Sequence, residues 1–289
     1  MATATAFYDL EHGPVSFDVV TWLVRARFWQ VERARCERLH VVVVPKEDGL
    51  GGFSRFWGPH DADATRWRLW HIVLPAIALA GATVTLADSR AQAKTLRTGE
   101  WWWPEGKAHL AKDLVALARA GHRLPVFEAS AQARQYVAAW LADDARPLFT
   151  LTLRAQVNDP ARNADRREWM RLAEALRADG ARVEVLDDTH RALGEGRGYA
   201  ELDLDLRLAL YERAAMNVVG NNGPAALLWH SRAPYLRIGA GRTADWLANL
   251  GLRDGEDVPW ALPGQHCVYA PDTCTAMREA IDRWAGATS

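Results

Sequence analysis

Cysteine is scarce: Cys36, Cys267 and Cys274 are the only three in 289 residues, and no two form a Cys-x-x-Cys pair. So small and odd a set argues against a disulfide framework or a zinc module and fits a reducing compartment. Net charge is also nearly absent, at −1, which argues against nucleic acid or a membrane surface as a general partner. No apolar run is long. The longest, Ile72–Ala82, contains Pro75 and is too short to cross a bilayer, so no integral membrane segment is expected. The opening MATATAFYDL has neither a basic stretch nor an apolar core, so no secretory signal is expected and the location is expected to be cytoplasmic. Lysine is rare as well, since 31 of the 35 basic residues are arginine, a bias read here as compositional. What remains is ordinary for a globular chain: 49% hydrophobic and 25% charged residues.

Short β-branched runs alternate with longer amphipathic ones. Strands are expected at Thr5–Leu10, Leu39–Val44, Thr83–Ala87, Leu124–Glu128, Phe149–Arg154, Arg182–Leu186, Met216–Gly220, Pro234–Ile238 and His266–Ala270. Helices are expected between them, the last two at Thr243–Asn249 and Thr273–Trp284. Such alternation implies an α/β fold with parallel sheets covered on both faces. The polar, proline-ended Leu141–Pro147 reads as a boundary, giving two Rossmann-like domains, 1–143 and 144–289, with a cleft between them. One continuous nine-stranded sheet would be unusually wide.

The stretch Met216–Gly239 concentrates the chemistry. A short apolar strand meets Gly220-Asn221-Asn222-Gly223, residues that tolerate positive φ, and Pro224 then suits a first helical turn. Free N–H groups at such a turn favour a phosphate or diphosphate. Arg154 stands at another strand end, where ligands gather in open α/β sheets, with Arg162 and Asn163 just beyond it. A forked guanidinium suits a diphosphate, and that reading is preferred to the alternative, in which Arg154 pairs with a nearby carboxylate such as Asp159 or Asp165. Asp187 closes a further strand and either meets a ribose hydroxyl or caps the following turn. Asp203-Leu204-Asp205 matches a metal-binding Asp-x-Asp by letter only. It lies at a helix start and reads as a cap, so no metal ligands are expected.

VVGNNGPAALLWHSRAPYLRIG resembles the phosphate-binding segment of GT-B-fold glycosyltransferases, above all the heptosyltransferase type. Thr152-Leu153-Arg154 is similar to the arginine-bearing motif of O-fucosyltransferase-like enzymes. The resemblance covers the C-terminal half. Asn221-Asn222 stands where the heptosyltransferase pattern has Asp-Ser/Thr, and Ala226 where it has histidine. The resemblance implies sugar transfer from a nucleotide-diphosphate donor to a hydroxyl acceptor such as a glycan, without metal or other cofactor. Arg154, Arg162, Asn163, Asp187, Asn221, Asn222, Gly223 and Pro224 would then hold the donor. It also implies an N-terminal acceptor domain with a general base near its first strand end, where Asp9, Glu11, His12 and Asp18 are the candidates. A sugar-nucleotide epimerase or hydrolase of the same fold, or a binding module that keeps the fold without catalysis, would use the same donor half. The loop Lys46–His60 suits an aromatic lip, and Trp101-Trp102-Trp103 cannot all point inward, so one of them suits a ligand, interdomain or homodimer contact.

Overall fold

The computed structural model describes residues 2–47, 62–142, 144–154, 163–188, 203–239, 250–253 and 255–287. The expected lip beyond Glu47, Arg162 and the helix at Thr243–Asn249 lie outside these residues. The chain divides into two compact units. The first comprises Met1–Leu114 with Leu124–Phe127, the second Val115–Arg123 with Glu128–Ser289.

The first unit holds β1 (Thr3–Asp9), α1 (Asp18–Glu32), β2 (Arg38–Val44), α2 (Ala62–Arg68), α3 (Leu74–Leu79), β3 (Thr83–Leu86), α4 (Arg90–Thr95) and β4 (Glu100–Trp102). A π-helical turn, Leu69–Val73, links α2 to α3. The strands form one parallel sheet in the order β3-β2-β1-β4. Alternation along β1 sends Phe7 toward Val42, Val44 and Ala93 on one face. Tyr8 goes to the other, where it packs edge-on against Trp22 of α1.

The second unit holds α6 (Ala131–Leu141), β5 (Leu148–Leu153), α7 (Arg166–Ala178), β6 (Arg182–Asp187), α8 (Leu204–Arg213), β7 (Met216–Val219) and α9 (Ala225–Trp229). It continues through β8 (Tyr235–Ile238) and β9 (Gln265–Val268) to α10 (Cys274–Ala287); α5 (Lys112–Arg119) spans the division of the chain. Its strands form a second parallel sheet, ordered β6-β5-β7-β8-β9. One face is wholly apolar: Leu151, Leu153, Val218, Leu236 and Ile238 pack with Trp169 and Leu172 of α7 and Met277 and Ile281 of α10. The opposite face is polar yet buried. There the Thr150 hydroxyl donates to Asn217 Oδ1 at 2.6 Å, Asn217 Nδ2 donates to the Tyr211 and Pro234 carbonyls, and Thr152 Oγ1 meets the Tyr211 hydroxyl at 2.9 Å. Thr150, Thr152, Asn217 and Tyr211 thereby satisfy one another within the sheet–α8 layer.

The two expected parallel α/β sheets are present, and eight of the nine expected strands form. Leu124–Glu128 does not become a strand. Pro125 lacks an N–H to donate to a ladder, and the tryptophan segment takes the fourth place in the first sheet instead. Trp102 of β4 stacks on Trp22 and Trp29 of α1, which gives this three-residue strand its anchorage.

Candidate functional site

In each sheet the strand order reverses once, and an open parallel sheet forms a crevice outside the carboxyl ends at that point. The reversals fall between β5 and β7 and between β1 and β4.

At the β5/β7 crevice Arg154 follows the last residue of β5 and is only 7% exposed. Its Nη1 donates to the Asn221 carbonyl across the crevice at 3.5 Å. The Asn221 side chain turns the other way, where its Oδ1 accepts from Arg237 Nη2 at 2.8 Å. Arg237 sits in the interior of β8, 3% exposed, with its guanidinium over the Trp229 ring at 4.1 Å. One asparagine at the end of β7 thus joins two buried guanidiniums. A third, Arg207 of α8, is fully buried and donates to the Tyr211 hydroxyl at 3.2 Å and to the Asp187 carbonyl at 3.0 Å. Asp188 is buried beside them, its N–H on the Leu153 carbonyl. Among the described residues, the buried charges of this unit are three arginines and one aspartate.

The other expected donor residues fall into place around these groups. Asn222 Nδ2 donates to the Thr152 carbonyl at 2.9 Å and its Oδ1 accepts from the Ala225 N–H at 3.1 Å, so its amide stitches β5 to the start of α9. The Gly223 and Pro224 carbonyls accept the first-turn bonds of α9. Ala164 N–H bonds to the Arg154 carbonyl, which brings the neighbouring Asn163 back beside Arg154. The Asp187 carboxylate accepts from Arg166 Nη1 at 2.8 Å. Asp203 caps α8 as expected, accepting from the Asp205 and Leu206 N–H groups. The reason expected for the turn's composition does not hold, because none of Gly220, Asn221, Asn222 and Gly223 adopts a positive φ. A Cβ on Gly220 would meet only an ordinary contact, 3.6 Å from the Trp169 ring. Nor is α9 a long dipole, being five residues. The positive character of the crevice comes from side chains.

At the β1/β4 crevice the four base candidates separate sharply. Asp9 is buried, and Arg90 grips both of its oxygens at 2.7 Å. Trp103 Nε1 at 2.9 Å and the Glu11 N–H at 3.0 Å complete the set. Burial pushes the Asp9 carboxyl up, but the Arg90, Glu11 and Trp103 hydrogen bonds outweigh it and hold the group below its ordinary value. A carboxylate so occupied is a poor proton acceptor and is structural. Glu11 and His12 lie exposed in the turn beyond it. Asp18 opens α1, and its Oδ2 accepts from the Ser16 hydroxyl at 2.8 Å. Gly13 lets the connecting turn close: a Cβ there would come within 2.8 Å of the Tyr8 ring. Burial, followed by the nearby Asp18 charge, holds the Tyr8 hydroxyl well above its usual pKa. Burial likewise lowers His109 despite the opposing charge of Asp18.

Sequence reasoning assigned no role to Arg237 or Arg207. The signal for Arg237 was a lone arginine inside the apolar run Tyr235–Ile238. The signal for Arg207 was its four-residue spacing from Tyr211 on the buried side of α8. Among the described residues no group of three or more His, Cys, Asp or Glu side chains could hold a metal ion, and no helix is long and apolar enough to cross a membrane.

Fold and site together define a protein with two parallel α/β sheets, an arginine-rich crevice in one and a held carboxylate at the other. No family model and no curated protein matches the sequence. Among solved structures the chain is similar to the dodecameric iron-containing heptosyltransferase TibC in complex with ADP-D-beta-D-heptose, at 13% identity and a TM-score of 0.48, covering 100% of this chain and 77% of that one. It is also similar to E. coli ADP-heptose LPS heptosyltransferase II, at 13% identity and a TM-score of 0.46, covering 98% of both chains. A third is a glycosyl transferase family 9 protein from Veillonella parvula, at 11% identity and a TM-score of 0.48, covering 98% of this chain and 91% of that one.

Proposed function

We propose that this protein is a GT-B-type glycosyltransferase that moves a sugar from a nucleoside-diphosphate donor to a hydroxyl acceptor. The observation that carries the reading is the buried Arg154 at the β5 end, bonded across the β5/β7 crevice to the turn at Asn221. Buried guanidiniums converging at a strand-order reversal suit a doubly charged leaving group. In the reaction the acceptor oxygen attacks the anomeric carbon, the bond from that carbon to the diphosphate oxygen breaks, and the diphosphate departs with the electron pair. Arg154 offsets the charge that grows on the departing oxygen. Arg162 and Asn163, further along the same loop of sequence, complete the expected donor grip. The arginines supply the positive charge that the departure requires, so the reading is metal-independent.

Proton removal from the acceptor falls to Asp18. Asp9 is committed to Arg90 and Trp103, whereas Asp18 has one oxygen held by Ser16 at the mouth of the β1/β4 crevice. Calorimetry with a panel of nucleoside diphosphates tests the donor half. Binding of at least one that is lost in Arg154→Ala, without loss of folding, is expected; unchanged affinity in that variant would remove the basis of the reading. Release of diphosphate that speeds up when hydroxyl acceptors are added would separate transfer from simple hydrolysis or epimerisation.

A further inference from the structure

Three titratable side chains from three segments of the first unit surround the β1/β4 crevice: Tyr8 of β1, Asp18 of α1 and His109 of the stretch between β4 and α5. The Asp18 charge acts on both rings. The chain at His109 is pinned along α1. Arg25, two helical turns beyond Asp18 and so on the same face, donates to the Ala108 carbonyl at 3.5 Å and bridges Asp113 of α5 at 2.6 Å. The His109 ring is half-buried, and its Nδ1 is enclosed with no hydrogen-bond partner among the described residues. Burial lowers its pKa, the Asp18 charge opposes that and Lys107 adds to it, so the ring is neutral at pH 7. Asp18 has Oδ2 on the Ser16 hydroxyl, and its Oδ1 has no hydrogen bond among the described residues. Tyr8 does not compete for that oxygen, because its hydroxyl donates to the Pro14 carbonyl. Arg25 is engaged by Asp113, and Arg90 by Asp9. Protonation turns Nδ1 into a charged donor, and a carboxylate oxygen is the partner such a donor bonds most strongly.

We propose that His109 is a pH latch on Asp18: the neutral ring leaves the carboxylate free to take the acceptor's proton, and the protonated ring captures it through Nδ1–H. The proposal rests on the reading of Asp18 as the base and adds to it a residue that switches that base off in acid. The proton that closes the latch comes from solvent, and the N–H bond is the one covalent bond formed.

The test pairs an NMR titration of the full chain with the pH dependence of diphosphate release. In the NMR arm the His109 resonance is assigned by its loss in His109→Gln and followed in the unaltered protein and in Asp18→Asn. Removing the carboxylate that the protonated ring would hold is expected to lower the His109 midpoint by about half a pH unit or more. An unmoved midpoint would overturn the latch. In the release arm the unaltered protein is expected to show an acid limb in kcat below about pH 6.5. His109→Gln is expected to move the midpoint of that limb down by about one pH unit, toward the carboxylate range, with kcat at pH 7.5 within about threefold. A purely structural His109 would lower stability or kcat at every pH and leave the limb in place, and that result too would overturn the proposal. If no acceptor supports release while Asp18→Asn still moves the His109 midpoint, the reading of Asp18 as the base fails and the His109–Asp18 contact stands. Should His109→Gln not fold, His109→Asn takes its place, with the same movement of the limb expected.

Discussion

Replacing Asp9 and Asp18 one at a time by asparagine separates a carboxylate that builds the first unit from one that would do chemistry in it. Asp9 has four hydrogen bonds, two of them the Arg90 fork at 2.7 Å, and its side chain is 2% exposed. Removing one partner of a buried, fork-bonded pair costs about 3–5 kcal/mol. Arg90 is 25% exposed and can recover some hydration, so the lower end, about 3 kcal/mol, is expected for Asp9→Asn. For a unit of this size that is roughly a 10 °C fall in melting temperature. The effect carries a pH signature. Because the folded-state pKa of Asp9 is lowered, its stabilisation is present above the ordinary carboxylate pKa and is lost as pH falls through the lowered value. Asp9→Asn should therefore flatten the acid limb of the stability profile. Asp18 has one side-chain bond, to Ser16, so Asp18→Asn should stay within about 1 kcal/mol of the unaltered protein while diphosphate release to an acceptor falls at least about 100-fold. Urea unfolding followed by tryptophan fluorescence, alongside diphosphate release from a panel of nucleotide sugars, measures both. Normal stability with abolished release in Asp9→Asn would return the base to Asp9 and refute the reasoning.

Two further outcomes follow from buried groups in the second unit. His230 lies against the Trp260 ring at 5.4 Å, and burial pushes its pKa down to about 3. The unfolded chain takes up that proton near pH 6.5, so stability should fall as pH drops from there toward 3, by up to about 5 kcal/mol, and His230→Phe should remove that slope in pH-dependent denaturation. Asn222→Ala removes both amide bonds that tie β5 to α9, and a stability loss of about 1–3 kcal/mol is expected by urea titration; a neutral result would show that the turn holds without them.

Much of this architecture was legible because its causes are local. The strand-end position of Arg154, the cap at Asp203 and the apolar runs of β5 to β8 depend on neighbours within a few residues, which is what periodicity and capping rules detect. The failures depend on distant partners. Leu124–Glu128 has strand composition, but the edge position went to Glu100–Trp102 because Trp102 reaches Trp22 and Trp29 of α1. Asp9 looked like a base until Arg90 and Trp103, more than eighty residues away, proved to hold it. Arg237 was passed over because a charge in an apolar strand becomes meaningful only once Trp229 and Asn221 are seen around it.

The central claim is that the β5/β7 crevice holds a diphosphate between Arg154 and the Asn221–Pro224 turn. A crystal soaked with several nucleoside diphosphates tests it most directly. The account predicts phosphate density within hydrogen-bonding distance of the Arg154 guanidinium and beside Gly223. Density elsewhere on the molecule, with Arg154 still bonded only to protein atoms, would contradict it.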